Sequence, residues 1–177
     1  MSVVVVAWRA RHHGRVLRAA ALLASLSLVA VLPATTLGAA AAKSVTIRVL
    51  IMPVTRTFTD APPKTHATTG EYTKGDTLRG TSILRNAVPQ FSKPKGARIG
   101  TSRFVEVALS PQRLRFDGVS RLPGGTVHAR GVMHEVAGKL AVAVVGGTGL
   151  YAGATGVIEG SHLPSGVTLD VARLHIP

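Results

Sequence analysis

The residues that could transfer protons are few: the chain of 177 residues has eight Asp and Glu residues, seven histidines and no cysteine. The sharpest candidate is Glu106, in the run RFVEVALS at 103–110. In a strand, Glu106 shares one face with Phe104, while Val105 and Val107 occupy the other. A cavity on the Phe104 side would bury Glu106, raise its pKa and make it a general acid or base. We expect the opposite arrangement, with the valines inside, because a single carboxylate more often faces water.

Other chemistry has little support from residue spacing. Asp76 follows a glycine in KGDTLRG (74–80) and is expected at a turn or strand start rather than in a pocket. His128 and His134 have the same strand parity, but six residues of strand would separate them by roughly 20 Å. Without cysteine, a metal-ligand spacing or a Gly-x-Ser-x-Gly elbow, the sequence predicts no metal site, no cofactor and no covalent nucleophile.

The glycine-rich segment VVGGTGLYAGATG (144–156) has the composition of a dinucleotide-binding loop. Such a loop must open a helix whose N-terminus holds the pyrophosphate. Gly153, Gly156 and Gly160 would each cost about 1 kcal/mol inside that helix relative to alanine, so no nucleotide site is predicted. The segment is instead predicted to turn between strands, with Tyr151 packed in it. The predicted structural turn residues are Gly146, Gly147, Thr148, Gly149, Gly153 and Gly156.

The elements that must position these residues are strands. Apolar residues alternate over 44–51, which predicts a half-buried strand that ends near Pro53. The same period of two recurs at 105–109, 114–116, 126–134, 140–144 and 167–171. Two proline-containing segments are predicted to be loops: 53–75, which is long or interrupted by a short strand, and 88–96. Strands about ten residues apart, with turn residues between them, predict an all-β sandwich or barrel.

The first 42 residues are predicted to be a secretory signal peptide. Four arginines within 9–18 precede an apolar stretch at 19–32, and small residues follow it up to Lys43. The apolar stretch is short for a membrane span, and an uncleaved anchor is the alternative. Cleavage is expected between Ala40 and Lys43, which leaves one domain, 43–177, in a secreted protein.

The net charge favours contact with acidic surfaces. Of the formal net charge of +13, the four leader arginines supply four, which leaves +9 on residues 43–177. These basic residues are scattered along the sequence with few aromatic residues between them. Nucleic-acid-binding proteins concentrate their charge on one face or interleave stacking rings. The prediction is therefore a soluble basic domain that does not bind nucleic acid.

The order of motifs is similar to that of the dirigent proteins and allene oxide cyclases, which share one barrel superfamily. Residues 140–160 carry the pattern found near the end of those proteins: an apolar strand, Gly-Gly-Thr-Gly, an aromatic residue and then Ala-x-Gly. Upstream, 74–86, 97–109 and 122–132 resemble the family's Gly-Asp strand, its Ile-Gly strand and its Gly-Gly hairpin. The resemblance spans residues 44–176, in order.

The resemblance implies an eight-stranded antiparallel β-barrel with a pocket in its mouth, often assembled as a homotrimer. Members bind hydrophobic small molecules and hold a reactive ligand in one conformation, which is positional catalysis. For this chain it implies a hydrophobic ligand, for which the candidate binding residues are Phe104, Glu106 and Tyr151. There are two departures: Ser82 stands nearest the Asn that holds a water in the cyclases, and Glu106 stands near their cysteine. Ser82 therefore joins Glu106 and Asp76 as a catalytic candidate.

The predicted function is a secreted dirigent-like barrel that binds a hydrophobic small molecule and steers its cyclisation or stereoselective coupling. If the protein is an enzyme, this activity is isomerase-like or cyclase-like. The alternative is a non-enzymatic extracellular or cell-envelope protein whose basic surface binds acidic polymers. A lumen lined by apolar residues and one or two convergent polar groups would favour the first. A filled barrel with its arginines gathered on one face would favour the second.

Overall fold

The computed structural model describes residues 42–69, 71–134 and 139–177, so the predicted signal peptide lies outside the described residues except for Ala42. Eight strands make up most of the described chain. They are β1 Lys43–Thr59, β2 Thr77–Asn86, β3 Arg98–Ser110, β4 Arg113–Leu122, β5 Gly125–His134, β6 Lys139–Gly149, β7 Thr155–His162 and β8 Thr168–Ile176. A single helical turn, α1 His66–Thr69, lies between β1 and β2. No helix in the described ranges has the length and apolar character needed to cross a membrane.

The eight strands close into one barrel. Each strand pairs antiparallel with the next, and β8 pairs with β1. Each strand therefore has a paired neighbour on both sides. The predicted fold, an eight-stranded antiparallel β-barrel, is therefore confirmed, and every stretch of predicted alternation falls within or overlaps a strand.

The segment between β2 and β3 is a loop, as predicted for 88–96. Asn86, the last residue of β2, holds this loop against the barrel. Its side-chain amide donates hydrogen bonds to the carbonyl oxygens of Gln90, Lys93 and Pro94 at 2.8, 3.0 and 3.2 Å. One buried amide thus fixes the course of several loop residues.

The first strand is longer than the sequence predicted. β1 continues past Pro53 to Thr59, and its register with β2 shifts between Pro53 and Thr55. A shift of this kind accommodates a residue that has no backbone N–H, so the strand passes through the proline. The prediction of a loop from 53 onward is therefore wrong for 53–59. Beyond Thr59 the described residues up to β2 are irregular apart from the helical turn α1.

The glycine-rich segment is mostly strand rather than turn. Gly146, Gly147, Thr148 and Gly149 complete β6, and Gly156 belongs to β7. Of the predicted turn residues only Gly153, with φ 70°, lies in the turn itself. Side chains at Gly147, Gly149 and Gly156 would collide with backbone carbonyls of Thr126, Gly124 and Arg173. These glycines therefore allow neighbouring backbone segments to lie close together. The sequence alone does not distinguish this role from that of a glycine in a turn.

One end of the barrel is filled by an apolar core. This is the end at which β4 turns into β5 and β6 turns into β7. The buried core residues there are Ile47, Val49, Leu84, Ile99, Val127, Val144, Tyr151, Ala154 and Leu174. The Tyr151 hydroxyl donates a hydrogen bond to the carbonyl of Pro123 at 3.0 Å, which ties the two turns together. Open space in the lumen lies toward the opposite end.

Candidate ligand cavity

A cavity of about 150 Å³ occupies the lumen toward the end where β1 finishes and β2 begins, and all eight strands contribute to its wall. Most of the wall is apolar. The apolar side chains are Ile51, Phe104, Phe116, Val119, Ala129, Met133, Leu140, Val142 and Ile158. An apolar cavity with a small number of polar groups is the usual form of a small-molecule site.

The inward face of β3 is the one that carries Phe104 and Glu106. The expectation that Val105 and Val107 face the lumen and leave Glu106 in solvent is therefore wrong. Both faces of β3 are apolar enough to be buried, so the alternation did not decide between them. The larger phenyl group of Phe104 takes the interior, and the outward valines are half-buried beside neighbouring side chains.

Two phenyl rings form one side of the cavity. The rings of Phe104 and Phe116 are nearly parallel, with centroids 6.1 Å apart. A Cβ atom at Gly80 would lie 2.7 Å from the Phe104 ring, and one at Gly118 would lie 2.6 Å from the Phe116 ring. The two rings fit because their neighbours Gly80 and Gly118 have no side chain. Together the rings form a flat aromatic wall.

Three serines line the cavity at one level. Ser82 on β2 is paired with Ser102 on β3, and Ser102 is paired with Ser120 on β4. All three line the cavity, and Ser82 is only 2% exposed. The sequence pointed to Ser82 alone, because the other two join it only through the register of three strands. Together they supply a row of hydroxyl groups that can donate and accept hydrogen bonds.

Glu106 is a lumen carboxyl group with an altered pKa. Burial raises the pKa of Glu106 from 4.5 to about 6, and the positive charge of Arg56, which also lines the cavity, works in the opposite direction. A carboxyl group of this kind exchanges its proton close to neutral pH. The structure thus places this predicted site residue where it can meet a ligand.

Asp170 is a second lumen carboxyl group, which the sequence did not single out. Burial raises the pKa of Asp170 from 3.8 to about 7. Within the part of the chain that the structure describes, no side chain forms an ion pair with it. Asp170 is paired with Gly160 of β7, whose missing side chain leaves room for the carboxyl group. The sequence contains one sign that Asp170 faces the lumen: in the pattern LDV of β8, the carboxylate lies between two apolar residues.

Asp76 lies away from the cavity and has a structural role. It is fully buried, and its carboxylate accepts hydrogen bonds from the backbone N–H groups of Ala61 at 2.8 Å and Thr73 at 2.7 Å. The Thr73 N–H is the main cause that lowers the pKa of Asp76, against the effect of burial. As expected, Asp76 stands at a strand start, where it fastens both ends of the segment between β1 and β2.

Tyr151, the third predicted ligand-binding residue, is not among the cavity residues. It is 4% exposed and packs in the core at the closed end. The cavity therefore brings together Phe104, Glu106 and Ser82 of the predicted site residues and leaves Tyr151 and Asp76 outside.

The segment between β1 and β2 packs on aromatic residues at the cavity end of the barrel. Phe58 lies two residues after Arg56 on the same face of β1. Its ring contacts His66, with centroids 4.0 Å apart, and Tyr72, at 5.8 Å. With both ends fastened by Asp76, this segment is held beside the mouth of the cavity.

The arrangement can hold and orient a small apolar molecule and exchange protons with it. Phe104 and Phe116 offer a flat surface, and the serine row offers hydrogen bonds. Glu106 and Asp170 lie on strands three steps apart around the barrel, so they reach the lumen from different directions. No group of three or more His or carboxylate side chains is placed to hold a metal ion in the described residues.

Comparisons with known proteins identify the fold. Pyocyanin demethylase superposes with a TM-score of 0.60 at 18% identity, over 73% of this chain and 99% of its own. The pterocarpan synthase dirigent protein GePTS1 gives 0.56 at 14% identity, over 76% and 86%. The Diels Alderase AbmU from Streptomyces koyangensis gives 0.54 at 12% identity, over 77% and 70%. No protein-family model matches the chain, and no curated protein sequence matches it.

The chain therefore shares the barrel fold of these proteins, a dirigent protein among them, as its motifs indicated. At these identities the likeness concerns the fold, whose sites carry many functions.

Proposed function

We propose that the protein binds a small, largely hydrophobic molecule in the barrel cavity and steers its cyclisation or coupling. The observation that carries the proposal is the wall itself, a largely apolar surface that also carries two carboxyl groups and three serine hydroxyls, together with Arg56, Arg103, His162 and Thr168. The names of the similar structures, a demethylase, a pterocarpan synthase and a Diels Alderase, support an activity on small organic molecules.

The volume of the cavity sets the size of the buried part of the ligand. About 150 Å³ is the size of an apolar cavity that holds a single aromatic ring. A flat ring also matches the wall formed by Phe104 and Phe116. The buried part of the ligand is thus one ring, and any larger ligand extends toward the mouth.

The two carboxyl groups suit proton transfer at neutral pH. With pKa values of about 7 for Asp170 and about 6 for Glu106, one side chain is often protonated while the other is ionised. One can therefore donate a proton to the bound molecule and the other can accept one. The rigid wall supplies the larger effect, because it restricts the ligand to one reactive conformation.

Export and assembly belong to the same proposal. The signal peptide predicted for residues 1–42 supports secretion, and the fold shared with the dirigent proteins supports a homotrimer. Native mass spectrometry of the protein recovered from the medium of expressing cells measures the cleavage site, the number of subunits and any retained ligand.

The binding step is tested with the neutral fluorescent probe N-phenyl-1-naphthylamine. Ser102→Phe places a phenyl group in the lumen, while Thr101→Phe places the same group on the outer surface one residue away. We expect wild type and Thr101→Phe to bind the probe with similar affinity and Ser102→Phe to lose at least about tenfold. Equal binding by all three folded proteins would overturn the proposal.

A further inference from the structure

The outer surface of β2–β5 has a strong excess of arginine. These four strands contain eight arginines and no lysine, and all eight side chains are exposed: Arg79, Arg85, Arg98, Arg103, Arg113, Arg115, Arg121 and Arg130. Their acidic residues are Glu106, which faces the lumen, and Asp117, which pairs with Arg130 at 2.6 Å. Among the described residues, the other seven arginines have no carboxylate partner.

Strand register gathers arginines that are scattered in the sequence. Arg103 on β3 is paired with Val119 on β4, and Arg121 on β4 is paired with Thr101 on β3. Adjacent strands are about 4.8 Å apart, and alternate residues of one strand are about 6.7 Å apart. Guanidinium groups at this spacing can contact successive charged groups of a single extended chain. Arginines that are far apart in the sequence are therefore close together on the barrel surface.

The arginines border two shallow depressions that meet at Arg103 and Val119. Arg98 and Arg121 border the first, and Arg115 and Arg130 border the second. We call these five arginines and the depressions between them the arginine groove. Its other lining residues are valines, threonines and serines, together with Ile83, Phe104, Phe116, Asp117 and Gly118. The five arginine side chains are exposed, although Arg103 and Val119 also border the cavity. Binding in the groove does not require the proposed function of the cavity.

The chemistry of the groove selects among anionic partners. The planar guanidinium fork matches carboxylate, sulfate and phosphate groups. The aromatic residues of these strands other than histidine are Phe104 and Phe116. Both border the second depression as well as the cavity, and their rings pack side by side in the cavity wall, so the groove offers little stacking surface to nucleobases. Of the valines that line the groove, Val105, Val107 and Val119 are half-buried and Val54 is exposed; one exposed valine among arginines is unsuited to insertion into a lipid bilayer.

We propose that the arginine groove binds an acidic polysaccharide chain. Such a polymer presents charged groups at regular intervals, needs no stacking partner and fits an elongated groove. Binding through several exposed ion pairs weakens as salt concentration rises, because each pair is screened.

The test uses the full-length protein and an end-labelled oligogalacturonate, with binding followed by fluorescence anisotropy. The triple variant Arg103→Gln, Arg115→Gln, Arg121→Gln removes three groove charges and leaves the Arg130–Asp117 pair intact. The matched control Lys43→Gln, Arg48→Gln, Lys139→Gln removes three charges from β1 and β6. We expect a loss of at least about tenfold in affinity for the groove variant and at most about twofold for the control. Arg103→Gln alone, expected to lose about threefold, replaces the triple variant if that variant does not fold.

Three further ligands separate the alternatives: a neutral dextran of the same length, an oligothymidylate of the same charge, and vesicles containing phosphatidylglycerol. The proposal requires weaker binding to each of them than to the oligogalacturonate. Equal losses in the two triple variants, tighter binding to the oligothymidylate or to the vesicles, or no binding of the oligogalacturonate at low salt would each overturn it.

Discussion

Gly160 on β7 lies directly opposite Asp170 on β8, and a Cβ atom at Gly160 would come within 2.9 Å of the Asp170 Oδ1 atom. The space that the carboxyl group fills thus exists because the neighbouring strand has no side chain there. This packing keeps Asp170 in the lumen wall, where burial raises its pKa to about 7.

Gly160→Ala is expected to displace the Asp170 carboxyl group toward water and to lower its pKa. Carbon-detected NMR titration of labelled aspartate measures the change. Gly131→Ala on β5 is the matched control, because a Cβ atom there has no neighbour closer than 3.7 Å. An unchanged Asp170 pKa in folded Gly160→Ala would show that this packing does not set it.

Asp170→Asn is expected to change how stability depends on pH. The pKa of Asp170 rises from 3.8 to about 7 on folding, so between these values the folded protein binds more protons than the unfolded chain. The free energy of unfolding therefore falls as pH rises through this range, and Glu106 adds to the fall up to about pH 6. The asparagine variant lacks the Asp170 contribution.

Urea denaturation at about pH 5 and about pH 8 checks this expectation. The stability of Asp170→Asn relative to wild type should rise by about 2–3 kcal/mol between the two conditions. A constant difference between the two proteins would mean that Asp170 ionises as it does in water.

Asp76 gives a pH dependence of opposite sign. Its pKa is lowered on folding, so its contribution to stability is complete above the ordinary aspartate pKa and is lost as pH falls through the lowered value. Asp76→Asn removes this acid-range dependence and weakens the hydrogen bonds from Ala61 and Thr73. We expect faster amide exchange at both residues and faster proteolysis within 61–73, with strand β6 unchanged as the internal reference. Unchanged amide exchange at Ala61 and Thr73 would contradict the role of Asp76 in holding both ends of the segment between β1 and β2.

Gly118→Ala tests whether glycine creates the aromatic wall. A Cβ atom at this position lies 2.6 Å from the Phe116 ring, so the ring must move. Overpacking of this kind costs about 1–3 kcal/mol, measured as the free energy of unfolding, whereas Gly131→Ala should stay within about 0.5 kcal/mol of wild type. Similar values for the two variants would argue against the packed position of the ring.

Six of the eight strands were predictable because residues of each segment alternate between apolar and polar without reference to the rest of the chain; the choice of a barrel over a sandwich came from the order of motifs. Lumen-facing residues were harder to predict. On β3 the two faces carry Val105 and Val107 or Phe104 and Ala108, which are apolar alike, so the pattern alone could not place Glu106. The choice depends on Gly80 and Gly118, which lie on other strands and make room for the phenyl rings.

The remaining site residues depend on contacts between distant segments. Asp170 is buried because of Gly160, and Ser102 and Ser120 join Ser82 through register. The same limit applies to the arginine groove, whose members look scattered along the chain. Pairing of strands, rather than any local motif, creates each of these features.

The central claim is that a hydrophobic ligand enters the lumen, and methyl-detected NMR during titration with N-phenyl-1-naphthylamine tests it most directly. Met133, Leu140 and Ile158 line the cavity, whereas Val145 and Leu150 are exposed large apolar residues away from it. We predict saturable shifts of the three lumen methyl groups with little change at Val145 and Leu150. Shifts confined to the exposed residues, or no shifts at all, would contradict the account.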